Sequence, residues 1–208
     1  MNPMSSLLTY TLNTRWLREG CCRYLRSDVP DRLAPEDIRW LLEHNVRTVI
    51  DLRAPEEAAK RPCPLASHPD FQYHPMPVST GDIVPLCPED VPRSYHAMVD
   101  AQMARILELA ESAPSNVLYF CNAGKDRTGV LSALLLRRMG AGRQEIIDNY
   151  LVTVENLREM LADFVAKRPE LSLAVVTPRA WYMEMFLDDM DCMERTFGKE
   201  ISRWNRTP

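Results

Sequence analysis

Apolar residues fall three or four positions apart over 34–45 (APEDIRWLLEHN), with Ile38, Leu41 and Leu42 on one face, and this spacing predicts a helix. Pro35, followed by Glu36 and Asp37, marks its first turn. The period then changes. Val46–Leu52 (VRTVIDL) is short, β-branched and nearly continuous in apolar character, as in a parallel strand buried on both faces. Four prolines over 54–70 predict a loop. Phe71–Val78 alternates loosely and predicts a second strand, which Pro75 and Pro77 confine to a sheet edge. A further loop is expected over 79–92.

Residues 93–112 place Tyr95, Met98, Val99, Ile106, Leu109 and Ala110 at helical spacing, and Pro114 stops that helix. Asn116–Phe120 (NVLYF) reads as a short buried strand, and Val130–Met139 as a helix apolar nearly all round, hence central. Three more helices are expected over 143–152, 154–167 and 178–197. The last carries Tyr182, Phe186, Met190, Met193 and Phe197 on one stripe, read as core and not as a cofactor site. Strands alternating with helices, then helices alone, predict an α/β domain with a helical C-terminal layer. The whole chain, 1–208, is read as one domain.

Composition adds exclusions. Of 208 residues 46% are hydrophobic and 26% charged, which is globular and not disordered. Twenty-five Lys and Arg against 29 Asp and Glu give a net charge of −4, contrary to a dedicated nucleic-acid binder. No apolar run approaches the ~20 residues of a spanning helix. Met1–Tyr10 has no basic residue ahead of its short apolar stretch and is not read as a secretory signal. The six cysteines show no C-x-x-C pair, so reduced thiols in the cytoplasm are expected. Cys63, His68 and His74 share a Pro-rich region but lack paired zinc-ligand spacing.

The chemistry is concentrated in Cys121-Asn-Ala-Gly-Lys-Asp-Arg127-Thr128-Gly129, between the predicted strand and the central helix. Ligands bind at such carboxyl ends of strands in α/β sheets. Five residues between Cys121 and Arg127 can wrap a single small anion, with backbone N–H groups turned inward and the helix dipole behind them. Asn122, Ala123, Gly124, Lys125, Asp126 and Arg127 are thus candidate phosphate-binding residues. Gly124 and Gly129 permit tight backbone approach. The same field favours a Cys121 thiolate, the nucleophilic form. Arg127 offers a planar fork for two phosphoryl oxygens, and Thr128 is placed to donate a hydrogen bond to the sulfur. Thiolate attack on phosphorus, a cysteinyl-phosphate and its hydrolysis follow, with one acid–base group serving both steps. No metal or organic cofactor is implied.

This stretch resembles the cysteine-dependent phosphatase signature His-Cys-x5-Arg-Ser/Thr-Gly. Its Gly-Lys-Asp-Arg-Thr-Gly core is similar to that of the bacterial and fungal tyrosine-phosphatase-like family with dual protein and phosphoinositide specificity. Asn13-x-Arg15, Tyr24-Leu-Arg26-Ser27, Val49-Ile50-Asp51-Leu52-Arg53, and Asn149-Tyr150-Leu151 with Thr153 are similar to further elements of that family, so the resemblance spans 12–155. It implies a dual-specificity-like phosphatase fold with a central, mostly parallel sheet of four or five strands. It implies Cys121 as nucleophile, Arg127 as phosphate clamp and Asp126 as acid, and it links Lys125 with extra phosphates on inositol or lipid substrates. Asp82 and Asp90, on the Pro-rich loop 79–92, are rival acids. Substrates would be phosphorylated protein or phosphoinositide, with inorganic phosphate as product.

One position departs from the signature: Phe120 stands where the family has His. The implied consequence is a less ionised thiol and activity either weaker or shifted to higher pH. A non-catalytic phosphate-binding module is the second reading. Sulfur transfer of the rhodanese kind is the third; it uses a shorter loop without Thr-Gly. Asp51 with Arg53 reads either as a strand-end ion pair or as a brace behind the loop, and Arg15 and Arg26 read as structural ion-pairing residues.

Overall fold

A computed structural model describes residues 6–80, 85–168 and 170–197, with side chains to 192. Five strands form one sheet in the order β1-β2-β5-β3-β4. They are β1 (Arg15–Arg18), β2 (Cys21–Ser27), β3 (Val46–Asp51), β4 (Gln72–Pro75) and β5 (Asn116–Phe120). Only β1 and β2 pair antiparallel; the other pairings are parallel. β5 is central, and its residues from Val117 to Phe120 are buried, as the apolar run NVLYF requires. β4 is indeed an edge, ending at Pro75, where no amide is available to donate. Pairing aligns Ser27, Phe120 and Asp51 across three strands, so the carboxyl ends of β2, β5 and β3 open on one rim.

Period-two alternation along β5 divides the interior. Val117, Tyr119 and Cys121 face a large core with Ile50, Tyr95, Val130, Leu135, Tyr182 and Phe186. Leu118 and Phe120 face a smaller one with Leu25, Leu41, Val49 and Phe71. Helix α1 (Pro35–Glu43) covers the second, and Leu41 is fully buried beneath it. The first is covered by α3 (Asp90–Ala97), α4 (Ala101–Ser112), α5 (Asp126–Arg138), α6 (Arg143–Asn156) and α9 (Ala180–Phe197). Every residue of α5 from Thr128 to Leu136 is buried, which explains its all-round apolar sequence. Tyr182, Phe186 and Met190 of α9 are core; the Met193 and Phe197 side chains lie outside the described residues.

The structure corrects several expectations. The hairpin 15–27 is a pair of strands, turned at Gly20 with φ +72°, although its arginines broke the apolar pattern. The Pro-rich stretch 54–70 is not all loop: it holds helix α2 (Pro55–Lys60) and a 3-10 turn (Pro64–Ser67). The helix expected over 93–112 is two. Asp100 interrupts it by capping α4, accepting a hydrogen bond from the Met103 N–H at 2.9 Å. After α6, Leu157 breaks the helix before α7 (Arg158–Ala166), and a one-turn helix α8 (Leu173–Val176) precedes α9.

Candidate active site

Cys121 leaves β5 at the rim and is buried beneath the loop that leads into α5. The carbonyls of that loop are held from outside. Asn122 O accepts from the Val29 N–H at 3.2 Å. Ala123 O accepts from Asn13 Nδ2 at 3.5 Å, and Gly124 O from Asn13 Nδ2 at 2.9 Å and Arg26 Nη2 at 2.8 Å. Among the described residues all peptides are trans, and a trans peptide points its N–H opposite to its C=O. The N–H groups of Ala123, Gly124 and Lys125 therefore turn away from this outer shell, into the concave side. Gly124 has φ +63°, and a Cβ there would stand 2.5 Å from Ser27 O, so only glycine lets the loop lie against β2.

Three of the sequence elements quoted above, 13–15, 24–27 and 149–153, meet behind the loop. Arg15 donates to Asn13 Oδ1, to Asn149 O at 3.0 Å and to Thr153 Oγ1 at 3.1 Å. Arg26 donates to Asn149 Oδ1 at 2.7 Å. Asn149 Nδ2 donates to Leu17 O at 2.6 Å, closing the shell onto β1. Both arginines are almost fully buried, and burial lowers their pKa values from the ordinary range. Their partners are carbonyl, amide and hydroxyl oxygens and not the carboxylates of an ion pair.

Arg127 lies at the start of α5. Its Nη1 donates to Glu57 Oε2 at 2.5 Å and its Nη2 to Glu57 Oε1 at 2.8 Å; Nη1 also reaches Leu52 O at 3.4 Å. These bonds leave Nε–H and one Nη2 hydrogen, a second fork on one edge of the plane. Burial alone would lower the Arg127 pKa, but Glu57, Cys121 and Asp126 outweigh it and hold the guanidinium charged. In return Arg127 draws the Glu57 carboxyl below the usual carboxylate range, against its partial burial. Glu57 also accepts from Asn122 Nδ2 at 2.5 Å and from the Ala54 N–H at 2.8 Å. It was not foreseen from sequence. The available signal was Ala54-Pro55-Glu56-Glu57, which repeats the Ala34-Pro35-Glu36-Asp37 start of α1.

Asp126 Oδ1 accepts from Tyr95 Oη at 2.6 Å, and Tyr95 Oη lies 2.7 Å from Tyr150 Oη. Burial, with Asp126 nearby, raises both phenols well above their ordinary pKa, so they act as neutral donors. Tyr95 is the second residue that sequence reasoning missed. Lys125 Nζ is buried, donates to Val176 O at 2.5 Å and lies 3.3 Å from Asp126 Oδ2. Thr128 Oγ1 is buried with no hydrogen-bond partner. Asp90 is turned to its own helix start, accepting from Cys87 N at 3.4 Å and Cys87 Sγ at 3.1 Å. Asp82 lies outside the described residues. Phe120 is fully buried on the face of β5 opposite Cys121. Burial pushes the Cys63 thiol up to about 12, as for a structural cysteine, and among the described residues no group of three His, Cys, Asp or Glu is placed to hold a metal.

With this geometry in view, comparison with known proteins places the chain. The model of the tyrosine phosphatase family matches residues 9–199. The chain belongs to that family. A tyrosine-protein phosphatase of Nostoc commune is 28% identical over 144 residues, covering 64% of this chain and 49% of that protein. This chain thus aligns with about half of that relative's length. A Cupriavidus necator protein that carries the tyrosine-protein phosphatase name is 30% identical over 203 residues, covering 85% of this chain and 71% of its own. Among solved structures, Pseudomonas aeruginosa TpbA (C132S) in complex with phosphotyrosine is 14% identical with a TM-score of 0.47, over 86% of this chain and 91% of that one. No helix among the described residues is long and apolar enough to cross a membrane.

Proposed function

We propose that the chain is a cysteine-dependent phosphomonoester hydrolase whose substrate is phosphotyrosine in protein. The observation that carries this is the loop 121–127, with its carbonyls held outward by Asn13, Arg26 and Val29 and a bidentately fixed Arg127 at its end. The amides of Ala123, Gly124 and Lys125, the free edge of Arg127 and the N-terminus of α5 then share three equatorial phosphoryl oxygens. The Cys121 thiolate attacks phosphorus in line. The S–P bond forms as the bond to the leaving oxygen breaks, and Asp126 delivers a proton to that oxygen. Water then attacks phosphorus, Asp126 takes its proton, and the P–S bond opens to regenerate the thiolate. Thr128, with its buried and unpartnered hydroxyl, donates to the departing sulfur. Asp126 is preferred to Asp90 because it lies within the loop, while the Asp90 carboxylate is committed to α3.

The cations near the loop support a single phosphate. Lys125 is tied to Val176 O and Asp126, and Arg15 and Arg26 are buried behind the carbonyls. A multiply phosphorylated inositol would call on cations beyond these three described residues, so the phosphoinositide reading is kept second. Free thiols at Cys21, Cys22, Cys63, Cys87 and Cys121 fit a cytoplasmic setting. Turnover of p-nitrophenyl phosphate between pH 5 and 8.5 tests the reaction. Wild-type protein should hydrolyse it, while Cys121→Ser should lose turnover and keep orthovanadate binding. Binding of phosphate without wild-type turnover would instead make the chain a phosphate-binding module.

A further inference from the structure

α2 has six residues and buries none of them. A helix this short has no stability of its own in water, and no apolar face fixes it to the sheet. Yet it carries Glu57, on which the orientation of Arg127 depends. Its N-terminal end is closed by Glu57 itself, through the Ala54 N–H. At the other end, Arg61 is its C-cap residue, and the Arg61 carbonyl accepts from Arg53 Nη1 at 2.7 Å.

Arg53 is built as a fixed post. It is 2% exposed. Its Nε donates to Asp51 Oδ1 at 2.9 Å and its Nη2 to Asp51 Oδ2 at 2.7 Å. Tyr73 Oη donates to the same carboxylate at 2.5 Å. The guanidinium carbon lies 5.2 Å from the centroid of Phe120, so an aromatic face supports the plane. Burial opposes the charge, but Asp51 and Tyr73 outweigh it and keep the Arg53 pKa above the ordinary value. Two hands of one rigid group thus hold β3 and α2 together, with Phe120 as the surface on which they rest.

We propose that Arg53 is a positioning residue for the phosphate clamp: it fixes the end of α2 through the Arg61 carbonyl, and so sets Glu57 and, through it, Arg127. Phe120, the departure from the phosphatase signature, is the platform of this device. The proposal rests on the phosphatase reading for its kinetic consequence only, because anion binding by Arg127 reports it as well.

Arg53→Lys keeps a charge beside Asp51 but cannot reach Asp51 and the Arg61 carbonyl together. We expect it to lower kcat/KM for p-nitrophenyl phosphate by about tenfold and to weaken competitive inhibition by inorganic phosphate, well below its melting temperature. Glu57→Gln should lower both more. In the double variant Arg53→Lys/Glu57→Gln, neither value should fall below that of Glu57→Gln alone, because Arg53 acts through Glu57. Wild-type kinetics and phosphate inhibition in Arg53→Lys, or losses that multiply in the double variant, would overturn the proposal and leave Arg53 a purely structural residue. Should Arg53→Lys not reach a folded state by circular dichroism, Phe120→Leu removes the aromatic face under Arg53 while keeping an apolar side chain in the core, and the same cycle is read with it. If the wild-type protein shows no turnover, the phosphatase reading falls, and orthovanadate binding across the same four proteins still decides the role of Arg53.

Discussion

α1 and α2 begin with the same three residues, Ala-Pro-Glu, and close their first turns in the same way. Asp37 accepts from the Ala34 N–H and Glu57 from the Ala54 N–H, each at 2.8 Å. Beyond the first turn they part. α1 continues with Ile38, Leu41 and Leu42, which pack into the core under β3. Its capping acid also holds Thr9, accepting from Thr9 N at 2.9 Å and Thr9 Oγ1 at 2.8 Å. α2 continues with Ala58, Ala59 and Lys60, and its capping acid holds the Arg127 guanidinium. One local device is used once to hold Thr9 and once to hold Arg127. The difference lies in whether apolar burial or polar ties hold the helix, and it predicts opposite profiles for mutations in the two.

Leu41→Ala in α1 should have the largest effect, a loss of about 2–5 kcal/mol in denaturant unfolding, because the side chain is fully buried. Its kcat/KM below the melting transition should equal that of the wild type. Glu57→Ala in α2 should do the reverse: kcat/KM falls by roughly 10- to 100-fold, the worth of hydrogen bonds to a charged group, while the melting temperature moves little. If Glu57→Ala melted the protein, α2 would be structural after all. Asp37→Ala should cost about 1 kcal/mol of stability, as for other lost helix caps, with no change in rate.

The smallest effect is one of pH. The Glu57 pKa is depressed in the folded state, chiefly by hydrogen bonds from Arg127. The stability it contributes is therefore present above the unfolded carboxyl value of about 4.3 and is lost as pH falls through the lower folded value. Wild type and Glu57→Gln should differ by a constant amount above about pH 5 and converge in more acid solution, as followed by urea unfolding across pH.

What was legible in the sequence follows the same division. β3, β5 and α5 announced themselves because continuous apolar runs have one use, burial. The candidate loop 121–127 was legible because its parts are contiguous. The hairpin 15–27 was not, because Arg15 and Arg26 point inward to partners such as Asn149 and Thr153, more than 120 positions away. Glu57 and Tyr95 were missed for the same reason: each reaches the loop across the fold, one from a helix without an apolar stripe. Asp100 split a helix whose apolar spacing runs on through the break.

The close approach of Gly124 to Ser27 has a consequence for engineering. Grafting residues 121–129 alone onto another strand–helix junction would transfer the sulfur and the guanidinium but not the wall that bends the backbone between them. A working transplant would have to bring the stretch 13–29 with it, since that segment supplies the mould in which the cradle is cast.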